Sequence, residues 1–294
     1  MKKPQWITLA VAGILTIAIY LFARITPEHK ASSVAETQQH SADDGHDHGP
    51  AAATFSIDTL LIQAKKSLTP EQMTRINNLE NSITRGDVKA QQLSVFHQLS
   101  HFWKDSARIF EPYAWYEAEG ARLENSEKSL TFAARLFLDE LQNDQLDNRR
   151  RWKALQAKDL FERSLKVNPD NDSAKVGLGA CYLFGNISSN PMEGIAKIRE
   201  VVQKDSTNVY AQLTLVKGSM LSGQFDKAIS RLETVIKIQP RNWESHLLMA
   251  DLYERKQEFK NAISWYEKSL PLLPQQEVIA AVKQRIEDLK KEDK

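Results

Sequence analysis

The chain has a single cysteine, Cys181, in 294 residues, which rules out an internal disulfide. Glycine and proline are scarce, at 11 and 10, a composition that suits long helices rather than turn-rich sheets. Net charge is nearly absent: Lys and Arg total 39 against 38 Asp and Glu. No global field therefore argues for nucleic acid or for an acidic partner. Catalytic signatures are missing as well. There is no Gly-rich phosphate loop, no nucleophile motif and no rigid set of metal ligands. These absences disfavour an enzyme and call for no cofactor. The hydrophobic content, 41%, is ample for a real core.

One long apolar run is present. Residues 6–23 carry no charge, and a run of roughly 18–20 such residues can cross the hydrocarbon core as a helix. Trp6 and Tyr20 lie near its ends, where amphipathic rings favour the interface. Lys2 and Lys3 precede it, which keeps the N-terminus cytoplasmic and sends the remainder outward. We expect a single-pass signal anchor in the cytoplasmic (inner) membrane, with residues 1–5 inside and the C-terminal domain periplasmic. A cleaved signal is the alternative, but Ser33 and Ala35 lie far past the apolar run, and Ala23 sits between Leu21 and Arg24. Residues 24–54 hold almost no large apolar side chain and read as a disordered tether. Within it, Asp44, His46, Asp47 and His48 are weak candidates for a metal ion. A solvated spacer fits them better, because ligand cages need fixed geometry.

Helical spacing returns at residue 55. Ile57, Leu60 and Leu61 predict a short helix ending near Ser67. Thr69-Pro70-Glu71-Gln72 is a start signal, with Thr69 as N-cap and Gln72 three residues on. Met73, Ile76, Leu79 and Ile83 then form one stripe, closed by Gly86. A second helix after Asp87 carries Leu93, Phe96, Leu99, Phe102 and Trp103, and the two predict an antiparallel hairpin. His97 and His101 lie one turn apart there without the Glu of a metalloprotease motif, so they read as helix-face residues. Residues 112–124 place Ala114, Ala118 and Ala121 on one side, as a helix that another must approach closely. Residues 87–124 thus read as one degenerate helix pair within an N-terminal helical region, 55–126.

The clearest signal is a period. Phe225 and Phe259, Ala228 and Ala262, and Pro240 and Pro274 are each 34 residues apart. This spacing resembles the tetratricopeptide repeat, a helix–turn–helix unit of 34 residues. The last unit carries His246, Met249, Ala250, Tyr253, Ala262, Tyr266, Ser269 and Pro274 at the family's characteristic places. The unit before carries Gln212, Leu215, Val216, Ser219, Ala228, Leu232, Val235 and Pro240, with Ser219 and Val235 as mild departures. An earlier unit begins at Asn171, with Gly194 where alanine is usual and a turn at 185–191 three residues longer than the family's. Before it, Ala157, Phe161, Ser164, Leu165 and Pro169 match a second helix, paired with 130–141 across a polar insertion at 142–148. The expected fold is all-α: a right-handed tetratricopeptide solenoid preceded by a helical hairpin. About four units fill 127–276, and a polar-backed helix at 277–294 caps the end.

The resemblance also implies a concave groove lined by the first helix of each unit. Carried over residue by residue, its lining includes Ser173, Val176, Ala180, Leu183 and Phe184, then Tyr210, Leu213, Lys217, Met220 and Leu221. The last unit adds Glu244, Leu247, Asp251, Glu254 and Arg255. Val176, Leu213 and Leu247 stand where carboxylate-clamping members use lysine, so that clamp is missing. Such a groove takes an amphipathic helix or an extended peptide; a second copy of the chain, or its own N-terminal helices, are the competing occupants. The cluster Arg149-Arg150-Arg151-Trp152-Lys153 reads as a solvated helix end, with an anionic ligand as the lesser alternative. Asn171-Asp172-Ser173 and Asn186-Ile187-Ser188 match the glycosylation pattern. The functional expectation is a membrane-tethered scaffold or adaptor that binds other proteins. A chaperone-like assembly factor for envelope or secreted proteins, as in cytochrome c maturation, is the alternative, and metal delivery through the tether is the weakest.

Overall fold

The computed structural model describes residues 55–83, 88–141 and 143–292. The apolar run at 6–23, the tether with Asp44, His46, Asp47 and His48, and the turn at Gly86 and Asp87 lie outside the described residues. Among the described residues, no helix is long and apolar enough to cross a membrane.

The described chain is an all-helical, tetratricopeptide-like solenoid with no strand among the described residues. Helices α1 (Ile57–Lys65), α2 (Pro70–Ile83), α3 (Lys89–His101) and α4 (Phe110–Glu124) come first. Four pairs follow: α5 (Glu127–Asp139) with α6 (Asp147–Val167), α7 (Asp172–Phe184) with α8 (Met192–Lys204), α9 (Val209–Leu221) with α10 (Phe225–Ile238), and α11 (Trp243–Arg255) with α12 (Phe259–Ser269). Helix α13 (Gln276–Glu292) closes the chain. From α3 onward each helix packs on the one before, while α1 lies against α4. Helix α7 also touches α5 and α9, so the first helices of successive units stand side by side in a row.

Local chemistry sets these boundaries. At α2, Thr69 Oγ1 accepts the Gln72 N–H at 3.3 Å, and Gln72 Oε1 accepts the Thr69 N–H at 3.0 Å. This reciprocal box satisfies two donors that a helix start leaves open. The first helix of each later pair opens on a polar cap: Ser126, Asn171, Asn208 and Asn242 accept the N–H groups of Ser129, Ala174, Ala211 and Ser245. Asn171 also donates from Nδ2 to Glu127 Oε1 at 2.6 Å, so this amide is committed to the fold rather than offered for glycosylation. Inside three of the four pairs the turn passes through the left-handed region, at Asn186, Gly223 and Gln257 with φ of 50°, 69° and 61°.

Two features depart from the sequence reading. The helix expected to run through Trp103 stays α-helical only to His101, and residues Phe102–Ala107 form a π-helix. The wider turn lets two adjacent large rings face inward, with Phe102 and Trp103 only 2% and 0% exposed. The polar insertion is shorter than expected, because α6 begins at Asp147 and runs 21 residues. Its extra N-terminal turns carry Trp152, which stacks near Trp115 and meets Phe55 edge-on at 6.1 Å.

The unusual glycines mark the closest crossings. A Cβ on Gly179 would lie 2.6 Å from the carbonyl oxygen of Gly194, and one on Gly194 would collide with the carbonyl of Gly179. Helices α7 and α8 therefore cross backbone to backbone, which explains Gly194 where the repeat usually tolerates alanine. Phe161 of α6 lies over Gly177 in the same way, and Ala154 over Gly185. At the far end Val282, Ile286 and Leu289 of α13 are buried against Ala262 and Tyr266. This covers the apolar stripe that the last unit cannot bury alone.

Candidate partner-binding face

The row of first helices, α5, α7, α9 and α11, presents one continuous face. A side-chain contact spans it. The guanidinium of Arg135, on α5, sits 5.2 Å from the ring centre of Tyr210, on α9. These helices flank α7, so the two side chains meet across it. Further along, Lys217 Nζ on α9 pairs with Glu244 Oε1 on α11 at 2.9 Å.

The groove residues inferred from the repeat divide by depth. Val176 and Ala180 are buried, at 0% and 3% exposure, and form the floor. Leu183 and Tyr210 pack against the cluster holding Val176, Ile198 and Leu215. Leu213 and Met220 pack against Val216, Leu232 and Met249 and are half-buried. Leu247 packs on the last core cluster, and Phe184 on the first. Leu221 stands out at 72% exposure. Asp251 pairs with Arg255 at 2.9 Å. Glu254 turns toward the capping helix, accepting from Arg285 Nη2 at 2.6 Å and from the Tyr266 hydroxyl at 3.0 Å.

The sequence reading missed two residues of this face, Arg135 and Asp139. Both lie on α5, whose unit has the irregular spacing. The signal that could have found them is the cap: counting from Ser126 as one counts from Asn171 puts Arg135 level with Ala180. Phe132, 52% exposed, lies one turn before Arg135.

Burial governs the electrostatics of the face. It raises the carboxyl of Asp251 above the usual carboxylate range, against the pull of Arg255. It raises Asp139 too, opposed by Arg135 and Lys217. Burial also pushes the Tyr210 phenol up to about 12. Cys181 is fully buried and its thiol is raised by burial, so it is an inert core residue rather than a nucleophile.

The cation cluster at Arg149–Lys153 is not a solvated helix end. Trp152 and Lys153 are buried, at 8% and 4% exposure. Asp144, from the insertion, accepts from Arg149 Nε at 2.5 Å and pairs with Lys153 Nζ at 3.1 Å. Glu111 of α4 holds the same lysine at 3.1 Å, and the Phe110 ring lies 4.9 Å from it. Burial pushes the Asp144 carboxyl up, but hydrogen bonds from Arg149, the Leu146 N–H and Lys153 outweigh it and leave it below the usual range. Four charges thus clamp the insertion between α4 and α6. His97 and His101 are exposed, and His101 bonds Asp105 at 3.1 Å. Among the described residues no cluster of three or more His, Cys, Asp or Glu side chains could hold a metal ion.

The tetratricopeptide repeat family profile matches residues 219–286. No curated protein sequence matches the chain. Among solved structures, MamA residues 41 to the end from Desulfovibrio magneticus RS-1 is 20% identical, with a TM-score of 0.42, over 64% of this chain and 96% of that one. YrrB, described as a tetratricopeptide protein with an unusual peptide-binding site, is 14% identical with a TM-score of 0.42, over 70% of this chain and 97% of that one. A tetratricopeptide protein from Parabacteroides merdae is 15% identical with a TM-score of 0.41, over 78% and 88%. The chain thus carries tetratricopeptide repeats over residues 219–286, within an all-helical solenoid of that type.

Proposed function

We propose that this protein is a membrane-anchored scaffold that holds other proteins or peptides on the outer, periplasmic side of the cytoplasmic membrane. The observation that carries the binding role is the face formed by the first helices, on which Leu213, Met220, Leu221 and Leu247 leave apolar surface open or half-open. An apolar groove edged by Lys217, Glu244 and Asp251 suits an amphipathic helix or extended peptide. The anchoring role rests on the uncharged run at 6–23 and on Lys2 and Lys3 before it.

Two experiments test the parts separately. A photo-crosslinking amino acid at Leu221, in intact cells, should capture partner proteins, and Lys217→Glu should reduce the yield while leaving the helical signal intact. Equal capture by Lys217→Glu would detach the partner from this face. For topology, a reporter fused after Lys294 should be active only outside the cytoplasm; activity inside would overturn the anchored orientation.

A further inference from the structure

Outside the row of first helices, two histidines share one cavity. His97 and His101 lie one turn apart on α3, and both line an open cavity of about 470 Å³ between α2 and α3. Both side chains are exposed. The ring of His101 is held, with its Nδ1 3.1 Å from Asp105 Oδ2. An ionised carboxylate only accepts, so Nδ1 carries the proton, and in the neutral ring the lone pair sits on Nε2. A carboxylate behind a histidine in this way fixes the tautomer and makes the imidazole a better metal ligand. Four-residue spacing on a helix lets two imidazoles share one ion. Arg75 lines the same cavity, with its guanidinium 5.6 Å from the centre of the Phe102 ring. That charge disfavours a bare dication and favours one that carries an anionic ligand.

We propose that His97 and His101 form a two-imidazole site for one divalent ion of the zinc, nickel or copper class. Imidazole donors select these ions over calcium and magnesium, which take oxygen ligands. Asp105 is a positioning residue that acts through His101. Two protein ligands leave the other coordination positions to water or an anion, so the ion exchanges through the open side of the cavity. The site is independent of the partner face.

The test titrates Cu²⁺ into the full-length protein with His29, His40, His46 and His48 of the tether replaced by alanine, and reads the copper by electron paramagnetic resonance. The expected result is one copper per chain with two imidazole nitrogens. His97→Ala in the same background should leave one nitrogen. Asp105→Asn should keep both while weakening affinity about 10- to 100-fold. His97 and Asp105 are exposed, so these variants keep their fold, which an unchanged far-ultraviolet spectrum checks. No bound copper, or a copper spectrum that His97→Ala leaves unchanged, would overturn the site. An Asp105→Asn affinity equal to the parent's would overturn the positioning role.

Discussion

Gly179 and Gly194 show how far one missing carbon decides the geometry of a repeat. Each would place a Cβ against the other's carbonyl, and a backbone cannot step aside as a side chain can. Gly194→Ala should therefore destabilise by about 1–3 kcal/mol, as overpacking does, and Gly179→Ala by a similar amount; urea unfolding reads both. The left-handed turns give the opposite handle. Gly223 at φ 69° has nothing within 4 Å of where its Cβ would sit, so Gly223→Ala has only backbone strain to meet, costing about 1 kcal/mol. Gln257 holds the matching place one repeat later at φ 61°, and Gln257→Gly should stabilise by about 0.5–1 kcal/mol. A Gln257→Gly variant that unfolds at lower urea would contradict this reading of the turn.

At the scale of elements, the insertion before α6 is held by charge rather than by apolar contact. Asp144 is the hub, with its side chain fully buried between Arg149 and Lys153. Asp144→Ala leaves Lys153 buried beside Glu111 alone and should cost about 3–5 kcal/mol. The sign of its pH dependence follows from its direction. A carboxyl held below its unfolded value near 3.9 contributes stability above that value. That contribution is lost as pH falls through the lower folded value. Asp159, pushed up by burial but held low by Arg122 and Arg163, behaves alike. Asp139 and Asp251 are raised by burial and act in the other sense, adding stability as pH falls through their raised folded values towards the unfolded one. Thermal melts should therefore show a shallow gain on acidification towards pH 4, then a loss below it that Asp144→Asn makes smaller.

Across the whole molecule, legibility followed regularity. The units around α9 to α12 were readable because their apolar and small residues recur at a strict 34-residue step. The unit of α5 and α6 was blurred because its insertion broke the count, and that blur hid Arg135 and Asp139. The Arg149–Lys153 cluster was misread because sequence shows a run of cations but not the buried Asp144 and Glu111 that fold back onto it. The π-helix at 102–107 has no periodic signature, since it arises from fitting two adjacent rings into one core. The cap at the far end is a property of the array: removing 277–292 exposes Tyr266 and Ala262. Such a truncation should melt at lower temperature and bind a hydrophobic dye.

The most direct measurement is a crosslinking scan that compares the two layers of the solenoid in intact cells. Photo-reactive residues at Leu221 and Arg135, on the first helices, would be set against Arg199 and Glu233, on the second. Adducts with other proteins are expected from the first pair and not from the second. Adducts from Arg199 and Glu233 alone, or from all four positions equally, would contradict the claim that the inward face is where partners bind.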